Sequence, residues 1–211
     1  MQNLLSTTLH TLKYHTRYSG ANVIHSENVA EHSFFVTILA DLIALDVEHI
    51  HKDKNINRLK VIQMALYHDT EEAYTGDLIT PVKNRSTDLK REWDKLSSLM
   101  MSEGLNQDFI GQKHISNYII NVHHSYESGK KDILENQIVK FADGAQSIVY
   151  ILRELGYGNR HIVPILENVL SAMKERFCGN EILKKYMIEI EKFVYSVQDG
   201  KLPVNAVQIQ A

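Results

Sequence analysis

The chain has 211 residues, the size of one domain or of two small ones, and it is long enough to bury a hydrophobic core. Apolar residues make up 44% and charged residues 23%, which excludes a disordered, collagen-like or coiled-coil chain. The net charge is -3, so no general positive field attracts a nucleic-acid polymer, and we expect no such partner.

The cysteine and hydropathy content bears on the cellular compartment. The single cysteine, Cys178, cannot form an internal disulfide, and the first residues lack a charged segment followed by a long apolar run. The longest apolar stretches, such as residues 34–40, are far shorter than the roughly 20 residues that cross a bilayer. We therefore expect a cytoplasmic protein that does not enter the membrane.

Turn-forming residues are scarce, since the chain contains 10 Gly and 3 Pro, too few for a β-sandwich or barrel. This composition favours an all-α fold: a single-domain helical bundle over residues 1–199, followed by a loosely held C-terminal tail over 200–211. Apolar periodicity predicts helices over residues 3–14, 29–46, 57–74, 87–103, 107–124, 131–155, 160–177 and 180–198.

Two of these helices place polar residues among apolar ones. At the start of the helix over 29–46, Asn28 and Glu31 have the spacing of a capping box. The apolar stripe of that helix contains a histidine: Val29, His32, Val36, Leu39 and Ile43. Two adjacent rows of the helix over 57–74 are predicted to face inward: Leu59, Ile62, Leu66 and Asp69 in one, and Val61, Ala65, His68 and Glu72 in the other.

The dipeptide His68-Asp69 carries a carboxylate into apolar surroundings, where it costs several kcal/mol unless a cation or a set of donors compensates it. A satisfied hydrogen bond in the core is one explanation of such a pair. His32 and Asp143 lie on two other predicted helices, and together the four side chains offer two imidazoles and two carboxylates. That mixture suits a divalent transition ion such as Mn, Fe, Co, Ni or Zn, with positions left open for water and substrate.

The order H…HD…D on successive helices resembles the HD-domain metal-dependent phosphohydrolases. Four blocks narrow the resemblance to the YfbR-type 5'-deoxynucleotidases: ENVAEHS at 27–33, YHDTEE at 67–72, TGDLITPVK at 75–83 and VKFAD at 139–143. The third block contains Gly, Asp and Pro and is predicted to form an ordered loop over 75–81. The resemblance covers roughly residues 3–155.

The resemblance implies an all-α enzyme, usually a homodimer, that removes phosphate from deoxyribonucleoside 5'-monophosphates. The implied metal ligands are His32, His68, Asp69 and Asp143. Glu72 corresponds to the catalytic carboxylate of the family, and it follows His68 by one helical turn. The implied substrate-binding residues are Arg17 for the phosphate, Asp77 for the sugar 3'-hydroxyl, and Thr80 beside it.

Tyr18 departs from the family pattern, in which a tryptophan follows the arginine and leaves no room for a 2'-hydroxyl. Tyrosine is smaller and adds a hydroxyl group, so we expect sugar discrimination to be relaxed or reshaped. We therefore expect the protein to hydrolyse (deoxy)ribonucleoside 5'-monophosphates to nucleoside and phosphate.

Two other functions fit the same residues. One is a dNTP triphosphohydrolase of the HD superfamily, because the same metal and carboxylates can cleave at the α-phosphorus. The other is a nucleotide-binding module without turnover, which would have no need of Glu72. His123 and His124 leave a further choice open, since some HD relatives use additional histidines for a second metal, whereas histidines at a helix end are commonly solvated.

Overall fold

The computed structural model describes residues 7–52, 54–83, 85–127 and 133–198, with only the main chain described for 80 and 81. Its α-helices are α1 (Val29–Ile50), α2 (Arg58–Tyr67), α3 (Glu72–Thr75), α4 (Thr80–Lys83), α5 (Thr87–Asp108), α6 (Lys113–Glu127), α7 (Leu134–Gly156), α8 (Val163–Phe177) and α9 (Lys184–Gln198). Thr8–Tyr14 and Arg160–Ile162 form 3-10 helices. Extended pairing within the described ranges is limited to an isolated bridge between Thr16 and Asn28, which confirms the all-α class. The predicted tail over 200–211 lies outside the described residues.

Helix α7 is the centre of the bundle and packs against α1, α2, α6, α8 and α9. Its apolar residues recur at helical spacing, as the sequence predicts, and the following are buried: Ile138, Phe141, Ala145, Ile148 and Leu152. Burying each of the large ones stabilises the fold by roughly 1.5–3 kcal/mol. A smaller cluster forms between α5 and α6 around Met101, Leu105, Phe109 and Ile119.

The predicted capping box begins α1 as expected. The Asn28 side chain accepts from the Glu31 N–H, and the Glu31 carboxylate accepts from the Asn28 N–H. The pairing satisfies two N–H groups that the first turn of a helix leaves without partners, and it ends the preceding loop at a defined position. His32 consequently lies one turn into α1, fully buried.

The prediction of one continuous helix over 57–74 is wrong, because α2 ends at Tyr67 and residues 68–71 form a turn. Side chains of this turn take over helix acceptors: His68 Nδ1 contacts the Ala65 carbonyl at 2.8 Å, and Thr70 Oγ1 donates to the Tyr67 carbonyl at 2.8 Å. Local side-chain bonds of this kind compete with the helical ladder. The His68-Asp69 pair therefore lies at the end of a helix, where its side chains are free to turn toward neighbouring helices.

The predicted inward row through Leu59 and Leu66 is also wrong, since these side chains are 64% and 49% exposed. The buried residues of α2 are Val61 and Ala65, which belong to the adjacent predicted row, and Met64, which was in neither row. Helix ends differ as well: α1 and α5 extend to Ile50 and Asp108, and α6 begins at Lys113. No helix within the described ranges is both long and apolar enough to cross a membrane.

Candidate metal centre and substrate loops

Helices α1 and α7 and the turn after α2 bring the predicted metal-ligating side chains together. His32 Nε2 lies 3.1 Å from Asp143 Oδ1 and 3.8 Å from Asp69 Oδ2. His68 Nε2 lies 3.1 Å from the same Asp69 oxygen. One ligand atom from each of His32, His68 and Asp69 falls within 4.8 Å of the others, and Asp143 adjoins the group through His32. Residues separated by more than a hundred positions thus converge on one point.

The hydrogen bonding of the imidazoles fits a metal ion. His68 directs Nδ1 at the Ala65 carbonyl, an arrangement that assigns a proton to Nδ1 and leaves Nε2 as the ligating atom. His68 Nε2 is buried and makes no hydrogen bond. The other nitrogen of His32, Nδ1, faces Glu27 Oε2 at 3.7 Å, the carboxylate-imidazole arrangement that supports many ligating histidines. Both rings therefore present Nε2 to the centre.

Charge in the centre is tightly balanced. Burial and the Arg17 guanidinium lower the pKa of His32 to about 4, so its imidazole is neutral. Burial also lowers the pKa of His68, but Asp69 and Asp143 outweigh it and raise that pKa to about 9. Despite burial, the histidines lower the pKa of Asp143 to about 2, and that of Asp69 is lowered with help from Arg17. In the absence of a metal, the protonated His68 imidazole and the Arg17 guanidinium therefore supply the positive charge beside the two carboxylates, and a bound cation would take the place of the His68 proton.

Glu72 begins α3 immediately after the turn that carries His68 and Asp69. Its Oε2 is buried and makes no hydrogen bond to the described residues, so this oxygen is available to a water molecule or a substrate. Burial, together with the nearby carboxylates of Asp69 and Asp77, raises the pKa of Glu72 to about 10, although Arg17 opposes the rise. Glu72 is therefore protonated at neutral pH when no metal is bound. A cation held by the predicted ligands would lower this pKa and favour the carboxylate form, which can accept a proton.

Arg17 reaches the centre from the loop before α1. The bridge between Thr16 and Asn28, with the Arg17 N–H donating to the Glu27 carbonyl at 2.9 Å, holds this loop beside the start of α1. The guanidinium lies 3.3 Å from Asp69 Oδ2, 3.5 Å from Glu27 Oε2 and 3.4 Å from Ser147 Oγ. Its planar set of donors therefore lies at the edge of the metal centre, where it is suited to a phosphate group.

Tyr18 occupies the left-handed backbone region with φ +57°, which costs a residue other than glycine roughly 1–2 kcal/mol. The Ala21 N–H donates to the Tyr18 carbonyl at 2.8 Å and closes a turn over residues 18–21. The Tyr18 ring stacks on Tyr150 of α7, with centroids 4.8 Å apart and planes 12° apart. Burial raises the pKa of the Tyr18 hydroxyl, whereas Arg17 and a hydrogen-bonding contact with Ser147 oppose that rise. The ring is thus held against α7.

Asp77 lies in the loop over 76–79, which begins at Gly76 with φ +74°, a conformation that favours glycine. This loop packs against the turn over 18–21. Gly20 lies so close to the Ile79 side chain that a Cβ added to the glycine would be only 2.8 Å from Ile79 Cδ1. Burial raises the pKa of Asp77, while Arg17, Lys83 and the Tyr18 main chain lower it. Asp77 is therefore close to the Arg17 side of the centre. Thr80 begins α4, and its predicted side-chain role lies outside the described part of that residue.

Sequence reasoning missed several residues that hold the loop before α1 and the predicted ligands in place. Ser147, Tyr150 and Glu154 follow Asp143 on one face of α7, and each contacts the loop over 17–28. Their signal was present, since polar residues recur at steps of three and four on a helix whose opposite face is apolar. Tyr126 of α6, which hydrogen-bonds Asp143, carried no comparable signal because its partner lies on another helix.

The two histidines considered for a second metal contact side chains other than the predicted ligands. His123 is buried, contrary to the expectation of a solvated helix end, and its Nε2 contacts the Glu71 carboxylate. His124 contacts Ser98 Oγ at 3.1 Å. Within the described ranges, the group of side chains able to hold a metal consists of His32, His68 and Asp69.

Comparison with known proteins identifies the family of the chain. The family model described as "5'-deoxynucleotidase YfbR-like" matches residues 5–194. A 5'-deoxynucleotidase of Vibrio vulnificus is 30% identical over 172 residues, covering 78% of this chain and 81% of that protein. One of Vibrio atlanticus is 29% identical over 172 residues with the same coverage.

Solved structures share the fold. An HD-domain phosphohydrolase from Listeria innocua superposes with a TM-score of 0.65 at 22% identity, covering 92% of this chain and 96% of that chain. The cyanophage S-2L HD phosphohydrolase, bound to dA and one catalytic Zn²⁺ ion, superposes with a TM-score of 0.63 at 17% identity, covering 90% and 95%. With the family match over nearly its whole length, the chain belongs to the YfbR-like 5'-deoxynucleotidase family, and it shares the fold of the HD-domain phosphohydrolases.

Proposed function

We propose that the protein hydrolyses (deoxy)ribonucleoside 5'-monophosphates to nucleoside and inorganic phosphate, using a divalent transition ion held by His32, His68, Asp69 and Asp143. The observation that carries the proposal is the convergence of these side chains beside a buried carboxylate, Glu72, and a guanidinium, Arg17. Family membership supports the same activity, since the relatives bear the name 5'-deoxynucleotidase.

The metal ligands, Glu72 and Arg17 have different roles in the proposed hydrolysis. When bound, the ion supplies an acidified water molecule and draws electron density from a phosphoryl oxygen. Glu72 accepts the proton of the attacking water at Oε2 and orients that water toward phosphorus. Arg17 neutralises charge on the phosphoryl oxygens as the P–O bond to the 5'-oxygen breaks. The 5'-oxygen takes a proton from solvent and leaves as the nucleoside hydroxyl, and the proton held by Glu72 returns to solvent, which restores the site.

Substrate orientation falls to the two loops beside the centre. We assign Asp77 and Thr80, three residues later in the chain, to the sugar 3'-hydroxyl, and Tyr18 to the wall of the sugar pocket. The contact between Gly20 and Ile79 joins these loops, so phosphate and sugar are held at a constant separation. A positioned hydroxyl contact of this kind places the phosphorus before attack and lowers the entropic part of the barrier.

Phosphate release from dNMP, NMP and dNTP substrates, each with Mn, Co, Mg and Zn, tests the function. Inorganic phosphate from the monophosphates is the expected product. Triphosphate released from a dNTP would instead identify a triphosphohydrolase, and nucleotide binding without any product would identify a binding module. The metal is proposed as Co, Mn, Fe, Ni or Zn, because Mg and Ca prefer sites richer in oxygen ligands.

We also propose a homodimer formed through α1. This helix is apolar on two opposite faces, and the outward one exposes 58% of Phe34 and 56% of Leu42. The complete outward stripe is Phe34, Phe35, Ile38, Leu42 and Leu45. A contiguous apolar surface of this kind is typical of a protein-protein contact. A second copy of the chain would bury the stripe against its own equivalent, as in a twofold interface.

The compartment and domain limits are proposed on separate grounds. Cys178 is an exposed free thiol, which suits a reducing compartment and supports a cytoplasmic location. We place one HD domain at residues 1–199 and a C-terminal tail at 200–211. Helices α7, α8 and α9 share one main core with α1 and α2, which supports a single unit.

A further inference from the structure

Tyr150 is a buried aromatic residue of α7 that the proposed chemistry does not use. It lies on the same face of the helix as Asp143 and Ser147 and stacks face to face on Tyr18, with centroids 4.8 Å apart. Its hydroxyl donates to the His25 carbonyl at 2.7 Å, at the far end of the same loop. The Tyr150 ring is therefore fixed at both ends, by its helix and by this hydrogen bond.

The stack determines where Tyr18 can lie. A tyrosine ring is thin, and a ring on an irregular turn can rotate away from an approaching group unless something fills the space behind it. Tyr150 fills that space, and the Arg17 guanidinium carbon lies 5.6 Å from the centroid of the Tyr18 ring. The left-handed backbone of Tyr18 further restricts the ring, because the turn over 18–21 is closed by the Ala21 N–H.

The position of Tyr18 also reaches the sugar loop. The turn over 18–21 contacts Ile79, two residues after Asp77. A shift of the Tyr18 ring would therefore change both the wall of the sugar pocket and the support of the loop that carries Asp77.

We propose that Tyr150 is a positioning residue for sugar selectivity: by backing the Tyr18 ring it prevents that ring from yielding to a ribose 2'-hydroxyl. The inference rests on the proposed nucleotidase function. Stacking on Tyr150 makes the Tyr18 side of the sugar pocket more rigid than a single tyrosine ring would be. Tyr150 acts through Tyr18 and needs no contact of its own with the substrate.

The test is the ratio of kcat/KM for dAMP to kcat/KM for AMP, measured on a single preparation of each variant, so that the fraction of active protein cancels. Tyr150→Leu removes the backing ring and should lower the ratio roughly two- to tenfold, the range that corresponds to loss of an aromatic pair. Tyr150→Phe keeps the ring and should retain most of the ratio. If Tyr150→Leu does not fold, as judged by circular dichroism, Tyr150→Met removes the ring while filling more of its volume.

Tyr157→Leu is the matched control. Tyr157 packs on His25 of the same loop, with ring centroids 4.1 Å apart, and has no stacking contact with Tyr18. Its replacement should leave the ratio unchanged. An equal fall of the ratio in Tyr157→Leu would overturn the inference, since general loosening of the loop would then explain it.

The remaining outcomes separate the inference from the function on which it rests. Phosphate release by the unchanged protein, with a ratio that Tyr150→Leu leaves unaltered, overturns the role of Tyr150 and leaves the nucleotidase intact. If the unchanged protein has a dAMP to AMP ratio of kcat/KM near one, there is no sugar selectivity for Tyr150 to support, and its proposed role is likewise overturned. Absence of phosphate release from either nucleotide contradicts the proposed function itself.

Discussion

Tyr126 donates its hydroxyl hydrogen to Oδ2 of Asp143 over 3.1 Å, and the edge of its ring faces His68 with centroids 5.4 Å apart. One buried side chain of α6 thus contacts two proposed metal ligands, one on α7 and one in the turn after α2. The Asn136 amide donates to the Tyr126 carbonyl at 2.7 Å and holds its main chain in place. The relationship makes α6 a support for the metal centre rather than a ligand-bearing helix.

Tyr126→Phe should lower metal affinity by about tenfold, the lower end of what loss of a hydrogen bond to a ligand typically costs. The ring contact with His68 survives this substitution, so the fold should be retained. Titration of the metal-free protein with Mn or Zn by calorimetry measures the change. Tyr118→Phe, on the exposed side of the same helix, serves as the control, and equal weakening in both variants would contradict the role of Tyr126.

Asp69→Asn should abolish metal binding and activity together. Asp69 Oδ2 faces both His32 Nε2 and His68 Nε2, so a neutral amide removes the charge at the middle of the ligand set. The helical content should remain, because an amide no longer needs a cation to offset a buried charge. Elemental analysis and circular dichroism check the two halves of this prediction. Asp41→Asn, at a carboxylate paired with Arg58, should keep its metal, and a full metal content in Asp69→Asn would refute the assignment.

Glu72→Ala should separate chemistry from metal binding. Removal of a residue that handles a proton typically costs about 10²–10⁴-fold in turnover. Metal content and the affinity for dAMP should stay close to those of the unchanged protein, since the proposed ligands lie on α1, α7 and the turn before α3. Turnover numbers and metal content are measured on the same samples. A parallel fall of both would reassign Glu72 as a ligand.

Glu154 supplies a pH-dependent part of the stability. Burial raises the pKa of this carboxyl, but hydrogen bonds from the Ile24 N–H, Asn159 and the His25 N–H lower it by more than burial raises it. The pKa of Glu154 is therefore below its usual range. The folded protein therefore binds this proton less tightly than the unfolded chain. The stabilisation is present above the unfolded pKa of roughly 4.3 and is lost as the pH falls through the folded pKa.

Glu154→Gln should accordingly lower the free energy of unfolding by roughly 1.5–3 kcal/mol at neutral pH, the range for hydrogen bonds to a charged group. The difference from the unchanged protein should shrink as the pH falls below about 4. Denaturant unfolding of both proteins at pH 7 and pH 3.5 measures it, with the exposed Glu167→Gln as control. A difference that stays constant with pH would mean that the charge of Glu154 does not contribute.

The double substitution Ile38→Glu with Leu42→Glu should convert the proposed dimer to a monomer. Two carboxylates on the outward face of α1 would repel their counterparts and remain solvated when the copies separate. Light scattering after size-exclusion chromatography gives the mass of each species. Leu99→Glu places a charge on an exposed position of α5 and should leave the dimer intact. Dissociation by Leu99→Glu alone would move the interface to α5.

The helix start at Asn28 and the buried face of α7 depend on residues close together in the chain, so the sequence alone predicts them. The capping box at Asn28 and Glu31 depends on residues three apart, and the apolar periodicity of α7 depends on the pitch of a helix, so both were predictable. The metal-ligating residues were proposed from their types and order, together with the resemblance to HD phosphohydrolases. Each of these inferences needs no knowledge of how the helices pack.

Tertiary structure decided the rest, because it depends on contacts between residues far apart in the chain. Periodicity cannot tell which of two apolar rows of α2 meets α7, and the row through Leu59 and Leu66 proved to be the exposed one. Helix α2 ends at Tyr67 because the side chains of His68 and Thr70 hydrogen-bond to main-chain carbonyls of the helix. Whether such bonds replace the next helical turn depends on how the neighbouring helices pack against it. Likewise, the pairings of Tyr126 with Asp143 and of Tyr150 with Tyr18 exist only once α6, α7 and the loop before α1 have packed together, which brings distant side chains within contact.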